Sequence, residues 1–446
     1  ILRRFLGSDM PLEDMAENLL RELVWAKYLP NKQVPVKFVD ELRPVFLKYG
    51  PLLDGVEKTN KPEFAFQFVL DIIANELDYA VVSHKNEELT VGYMYEQMRT
   101  RSEWDPGIVA TEEQKDLLLY IAVHKTLLKS DRSTLRYRTL TLYYPEWSGS
   151  SNVSQIAEIA EGLDSVISTI DSQIEHPLVE KLSQKLRRQA GVFRTLQDVI
   201  EENPLDFKTF VESEPDLFGR SIWKALKKRT KLFRTKLRRT VLRAVLFLFI
   251  TKMALAVILE VPYDLILHGE LFVVPLLINI LFHPLLLAFI GMTVVVAERR
   301  NADDYKDVVR ALVVGANHDF LSFRIRKDRF GTWSTIFSFV YALVLVLVYG
   351  IIGFALYQFG FNAFSIGLFL FFLSLVTFFG IRIRASTRDV VLSPQRRGVF
   401  GSIFDIIVLP IVHFGRWLSL KVSKINVFIY FFDFIITTKF FQRGFN

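Results

Sequence analysis

Residues 244–264 read AVLFLFITKMALAVILEVPYD, and their reading decides the class of the molecule. From Ala244 to Leu259 the run is nearly pure hydrocarbon around one charge, Lys252; Glu260 and Asp264 then close it. A bilayer core about 30 Å thick is crossed by ~20 apolar residues. A charge at its centre costs from about 2.5 to more than 10 kcal/mol. Lys252 therefore needs a partner or a route to water. Continued as a helix, the segment places Lys252, Ala256, Glu260, Asp264 and His268 on one stripe, with a kink expected at Pro262. Leu248 reads as lipid-facing.

The next apolar run carries Asn279 and His283, four residues apart. Lys252, Glu260, Asp264, Asn279 and His283 are expected to meet between the first two membrane helices. Two readings follow. The cluster is a polar path for an ion, proton or small anion, or it is a hydrogen-bonded lock for a helical hairpin, with snorkelling of Lys252 as a variant.

Four runs have the length of a span, at about 244–260, 271–297, 334–358 and 361–381. Pro275 and Pro284 interrupt the second. The flanking charges alternate. The stretch 220–243, RSIWKALKKRTKLFRTKLRRTVLR, holds eleven Lys/Arg and no acid, whereas the link Glu260–Glu270 holds no Lys or Arg. The loop 298–332 holds eight Lys/Arg, the turn around Gly360 none, and 382–397 five. By the positive-inside rule, this places both chain ends and the large N-terminal part in the cytoplasm of a multi-pass cell-membrane protein. Because the apolar run follows at once, Lys227, Lys228, Arg229, Lys231, Arg234, Lys236, Arg238 and Arg239 read as a membrane-surface basic collar among anionic lipid headgroups, not as a nucleic-acid site.

Composition agrees. In 446 residues the hydrophobic fraction is 51%, with 40 Phe, as is ordinary for a membrane protein. The absence of Cys excludes disulfides, thiolate metal sites and cysteine nucleophiles. The net charge of +7 conceals an asymmetry: 25 Lys/Arg against 36 Asp/Glu in 1–219, a balance of −11, and 30 against 12 in 220–446, a balance of +18. The stretch that begins at Ile1 lacks the apolar centre of a signal peptide.

Residues 1–219 read as an acidic cytoplasmic helical domain. EDMAENLLRELVWAKYL, EFAFQFVLDIIANELDYAVV, EEQKDLLLYIAVHKTLLK and HPLVEKLSQKLRRQAGVFRTLQDVIEEN repeat apolar residues at three and four. STLRYRTLTLYYPEW reads as helix or extended linker. Residues 220–399 form the basic collar and the four-helix transmembrane domain. In 400–446, GSIFDIIVLPIVHFGRWLSL and INVFIYFFDFIITTKFF carry polar stripes and read as C-terminal interfacial or membrane-associated helices, in preference to a fifth and sixth span. The fold class is an all-α integral membrane protein.

Other motifs are weaker. Asp303, Asp304 and Asp307 in DDYKD match D-D-x-x-D, a pattern similar to one aspartate motif of prenyl-chain synthases and membrane-embedded prenyltransferases, which implies Mg²⁺ held to a diphosphate. The second aspartate-rich motif of such proteins is missing, and a solvated loop is the plainer reading. His318–Asp319 reads as a loop pair. The acidic stretch EENPLDFKTFVESEPDLFG lacks the spacing of a Ca²⁺ loop, and Asn152–Ser154 would lie in the cytoplasm, out of reach of glycosylation. G-x-S-x-G, P-loop and H-E-x-x-H signatures are absent, so no cofactor is expected and an enzyme is disfavoured.

Three functions remain from different classes. The first is a membrane-anchored scaffold or assembly component that binds a protein partner, or itself, through the cytoplasmic domain. The second is an oligomeric transporter or channel for an ion or small solute, built on the polar cluster. The third is a membrane enzyme acting on a lipid or diphosphate through DDYKD. The scaffold is preferred because it requires no buried chemistry.

Overall fold

The computed structural model describes residues 2–6, 11–28, 37–148, 153–202, 207–293, 298–327, 333–385 and 399–422. Within them the chain is all-α, apart from two three-residue strands, and divides into two compact units. Residues 1–218 and 305–327 make the first, and 219–304 with 328–446 the second.

The first unit begins with α1 (Leu2–Leu6), α2 (Leu12–Trp25), α3 (Lys37–Lys48), α4 (Gly50–Val56), α5 (Pro62–Val81) and α6 (Lys85–Thr100). After strand β1 (Ser102–Trp104) come α7 (Glu112–Leu127), α8 (Arg132–Tyr143), α9 (Val153–Glu161), α10 (Leu163–Ile174), α11 (Pro177–Glu202) and α12 (Phe207–Ser213). The apolar spacing read from the sequence forms the core: Phe68, Val69, Ile72 and Ile73 of α5 are buried, as are Leu182, Leu186, Ala190 and Phe193 of α11. STLRYRTLTLYYPEW resolves as helix α8, opened by the Asp131 carboxylate, which accepts from the Thr134 N–H at 2.9 Å.

Residues 305–327 depart from the expected solvated loop. They belong to α16 (Glu298–Val314) and to strand β2 (Phe323–Ile325), which pairs in parallel with β1. Tyr305, Val308, Val309 and Leu312 recur at three and four and are buried, as are Leu321, Phe323 and Ile325. The Tyr93 hydroxyl donates to the Leu312 carbonyl at 3.0 Å, and the Gln189 amide to that of Phe320 at 3.1 Å. The charge of DDYKD hides an amphipathic stripe that burial satisfies. The first unit is thus built from two separate stretches of chain.

The second unit holds most of α13 (Pro215–Leu255), a π-helical turn over Ala256–Glu260, α14 (Val261–Leu267) and α15 (Val273–Met292). These are followed by the start of α16, then α17 (Trp333–Gln358), α18 (Ala363–Ala385) and α19 (Val399–Val422). Four helical stretches are long and apolar enough to cross a membrane: Pro215–Leu267, Val273–Met292, Phe339–Gln358 and Ala363–Ile383. α17 and α18 join at Gly360, whose φ of +82° a residue with a side chain rarely adopts. α15 runs through Pro284 without a break.

Leu248 is not lipid-facing. It packs with Leu287, Phe372 and Val376, because Lys252 four residues on must face the same interior. The first C-terminal segment packs on its neighbours. α19 lies lengthwise on α18 and also meets α17: Ile411 joins the cluster of Val348, Leu356, Phe361, Phe369 and Leu373, and Phe414 stacks edge-on against Tyr349. Gly415 sits so close to the Ser374 backbone that a Cβ would collide. The described part of the polar stripe carries exposed His413 and Arg416, and the apolar side packs on helices. The second C-terminal segment, 425–441, lies outside the described residues.

Candidate functional site

The site is built from the irregularity in the first apolar helix. In a regular α-helix a stripe at spacing four drifts by about 40° per step, so Asp264 would stand about 120° away from Lys252. The π turn at Ala256–Glu260, closed by the Val261 N–H on the Ala256 carbonyl, is wider and winds part of that drift back. Pro262 lies just beyond, so the disturbance expected there is taken up before the proline. As a result Lys252, Ala256, Glu260 and Asp264 are all buried, each at most 2% exposed.

Asn279 of α15 faces this stripe. Lys252 Nζ donates to Asn279 Oδ1 at 2.6 Å, and Asn279 Nδ2 donates to Glu260 Oε1 at 2.7 Å. An ammonium only donates and a carboxylate only accepts, so one amide serves both through its two ends. The Phe372 ring of α18 lies 4.1 Å from Lys252 Nζ and offers its electron-rich face. His283, one turn beyond Asn279, has Nδ1 at 3.2 Å from the Asn279 carbonyl and Nε2 at 3.0 Å from the Phe369 carbonyl of α18. Asp264 Oδ1 accepts from Asn362 Nδ2 at 2.6 Å, and Asn362 Oδ1 in turn caps α18 by accepting the Ser365 N–H at 2.8 Å.

The structure therefore brings Lys252, Glu260, Asn279 and His283 into one linked group. It holds Asp264 on the same buried face through Asn362. α18 closes the group with a side chain, a carbonyl and a ring, none of them charged, which is why the charge pattern of the sequence does not reveal its part. The arrangement can fix three helices in register. Its members satisfy one another, which is what a buried polar group requires.

Other expected residues lie elsewhere. Asp303 and Asp307 are exposed on α16, Asp304 is half-buried, and among the described residues no three His, Cys, Asp or Glu side chains gather as a metal site. His318 accepts the Phe320 N–H at 3.2 Å within its loop. Lys227, Lys228, Arg229, Lys231, Arg234, Lys236, Arg238 and Arg239 all lie on α13, and all but Arg229 are exposed.

Two polar networks of the first unit have no counterpart in the sequence reading. Lys48 bonds to Glu76 and to the Trp147 carbonyl, and Tyr49 donates to Glu76 at 2.6 Å. Burial pushes the Lys48 ammonium below its ordinary value, and Glu76 opposes the shift. Arg136 forks onto Asp171 at 2.8 and 2.6 Å and bonds Asp71 at 2.7 Å. The bonded partners are 27 to 99 residues apart in sequence, beyond any local spacing rule. No protein-family model matches the chain, and no curated protein or solved structure is significantly similar to it.

Proposed function

We propose that the chain is a multi-pass cell-membrane protein that serves as a scaffold or assembly component. In this reading the four long apolar helices anchor it, the first unit lies on the cytoplasmic side with both chain ends, and partners dock on that unit. The alternation of Lys/Arg between successive connections supports the orientation. The observation that carries the function is the closure of the polar network. Lys252 is 0% exposed, its ammonium is bonded to Asn279 and faced by Phe372, and Glu260 is reached through the same amide. A conduit needs water at such groups, whereas a lock needs them satisfied and dry.

One observation favours transport as the second reading: a π turn ending at Glu260, a feature frequent at functional sites. Reconstitution separates the two. In liposomes the purified full chain is expected to leave proton and small-cation permeability at the protein-free level. In native membranes, the proteins cross-linked to the first unit are expected to be the same for the wild type and for Lys252→Met/Glu260→Gln. Saturable flux that disappears in a folded Asn279→Leu variant would overturn the scaffold reading.

A further inference from the structure

Helix packing in the second unit marks one level across three helices. A Cβ on Gly291 of α15 would lie 2.7 Å from Val241 of α13, and a Cβ on Gly380 of α18 would lie 2.6 Å from Ile290 of α15. Val241, Ile290–Gly291 and Gly380 therefore sit at about the same height. At that height the apolar parts of the three helices give way together: Ala244 opens the run on α13, α15 ends at Met292, and Arg382 follows Gly380 on α18. This common level sets where the basic residues of α13 stand.

At 1.5 Å per residue, Arg239, Arg238 and Lys236 stand ~3, ~4.5 and ~7.5 Å outward of Val241. Arg243 lies ~3 Å inside the level, about half a turn. Lys231 stands ~15 Å outward, which a steep tilt of ~40° shortens to ~11 Å, whereas Lys228 and Lys227 stand ~20 and ~21 Å outward and the same tilt shortens them only to ~15 and ~16 Å. The headgroup layer is roughly 5–7 Å deep on each side, and the attraction of a charged surface fades over a further ~8 Å. The collar is thus two segments with different reach. Lys236, Arg238, Arg239 and Arg243 of α13 and Arg382 of α18 are exposed. They come from two helices at one height.

We propose that these five residues form a rim that binds anionic lipid headgroups, and that Lys227 and Lys228 take no part in lipid binding. This rests on the reading of α13 as a membrane helix, and it narrows the basic collar to its inner half. The rim draws acidic lipid to the mouth of the bundle, where three helices emerge, so the lipid around the protein differs from the bulk.

The chain has no native Cys, so a single Thr240→Cys site can carry a donor fluorophore in the full protein. The labelled protein is placed in phosphatidylcholine vesicles containing a trace of acyl-labelled acceptor, either phosphatidylserine or phosphatidylcholine. Transfer to the serine lipid is expected to exceed transfer to the choline lipid. Arg238→Gln/Arg239→Gln is expected to cut that excess at least about fivefold, the effect of even one basic residue at a surface. Lys227→Gln/Lys228→Gln removes the same charge and is expected to leave the excess unchanged. Equal transfer to both lipids, or an equal loss in the two double variants, overturns the proposal. A second label at Ile250→Cys, quenched by brominated acyl chains, reports whether α13 is in the bilayer. Absence of that quenching overturns the membrane reading itself, whatever the lipid preference.

Discussion

Arg136 in the first unit and Lys252 in the second are both buried cations, held by different means. Arg136 meets its carboxylates directly, forking onto Asp171 and reaching Asp71, with Arg132 adding a 3.0 Å pair to Asp171 from the edge. Lys252 is joined to Glu260 through the Asn279 amide. The guanidinium fork suits a carboxylate and ties α8 to α10 and α5 at one point. The amide does another job. Lys252 precedes the π turn and Glu260 ends it, so Asn279 braces an irregular segment from the neighbouring helix on both flanks. Direct pairs join helices that already pack, whereas the bridged pair stabilises a distortion.

The largest expected effect is in the first unit. Removing one partner of a buried ion pair leaves the other uncompensated and costs about 3–5 kcal/mol. Arg136→Leu is expected to lower the stability of the full chain by that amount in chemical denaturation followed by tryptophan fluorescence. A loss below about 1 kcal/mol would make the fork ornamental. Acid sharpens the point. Burial pushes the Asp171 carboxyl up, but the bonds from Arg136 and Arg132 outweigh it and hold the group below its ordinary 3.8. A depressed carboxylate contributes stability that is fully present above the unfolded value and is lost as the pH falls through the folded one. Acid unfolding below about pH 3.8 should therefore be less steep in Asp171→Asn than in the wild type. An identical acid limb would break the assignment.

An intermediate effect is expected in the second unit. Asn279→Leu strands an ammonium and a carboxylate at once and should cost about 2–3 kcal/mol, the scale of one uncompensated charge among apolar helices. Combining it with Lys252→Met and Glu260→Gln removes both stranded charges and should recover most of that loss, since replacing a whole buried network is often near neutral. Unfolding in mixed micelles measures both. A triple variant as unstable as the single one would contradict the bridge. The smallest effect is local: Asp131→Ala removes the cap of α8 and should cost about 1 kcal/mol in the same denaturation assay.

The helices and four apolar stretches were legible because each rests on a local period that a sequence displays. So was the pentad's common face, since Lys252, Glu260, Asp264, Asn279 and His283 stand out against hydrocarbon. What escaped depends on long-range partners. Asn362 is one polar residue beside a turn until Asp264 is placed against it. Phe369 contributes a carbonyl, which every residue has. Tyr305, Val308, Val309 and Leu312 form a stripe with the helical period, but the neighbouring charges drew the reading to a solvated loop and away from burial. The π turn adds a further limit, because it alters helical phase without any residue that announces it.

The central claim, that the network is a dry lock, is tested most directly at Ala256, which lies on the stripe, is 1% exposed and takes no part in the ionic bonds. Single Cys variants at Ala256, at outward-facing Ile250 (65% exposed) and at Val109 in the first unit (98% exposed) would be treated with a membrane-impermeant thiol reagent in open membrane sheets. The account predicts rapid labelling at Val109 and equal protection at Ala256 and Ile250. Labelling of Ala256 at a rate approaching that of Val109, with Ile250 still protected, would place water along the stripe and contradict it.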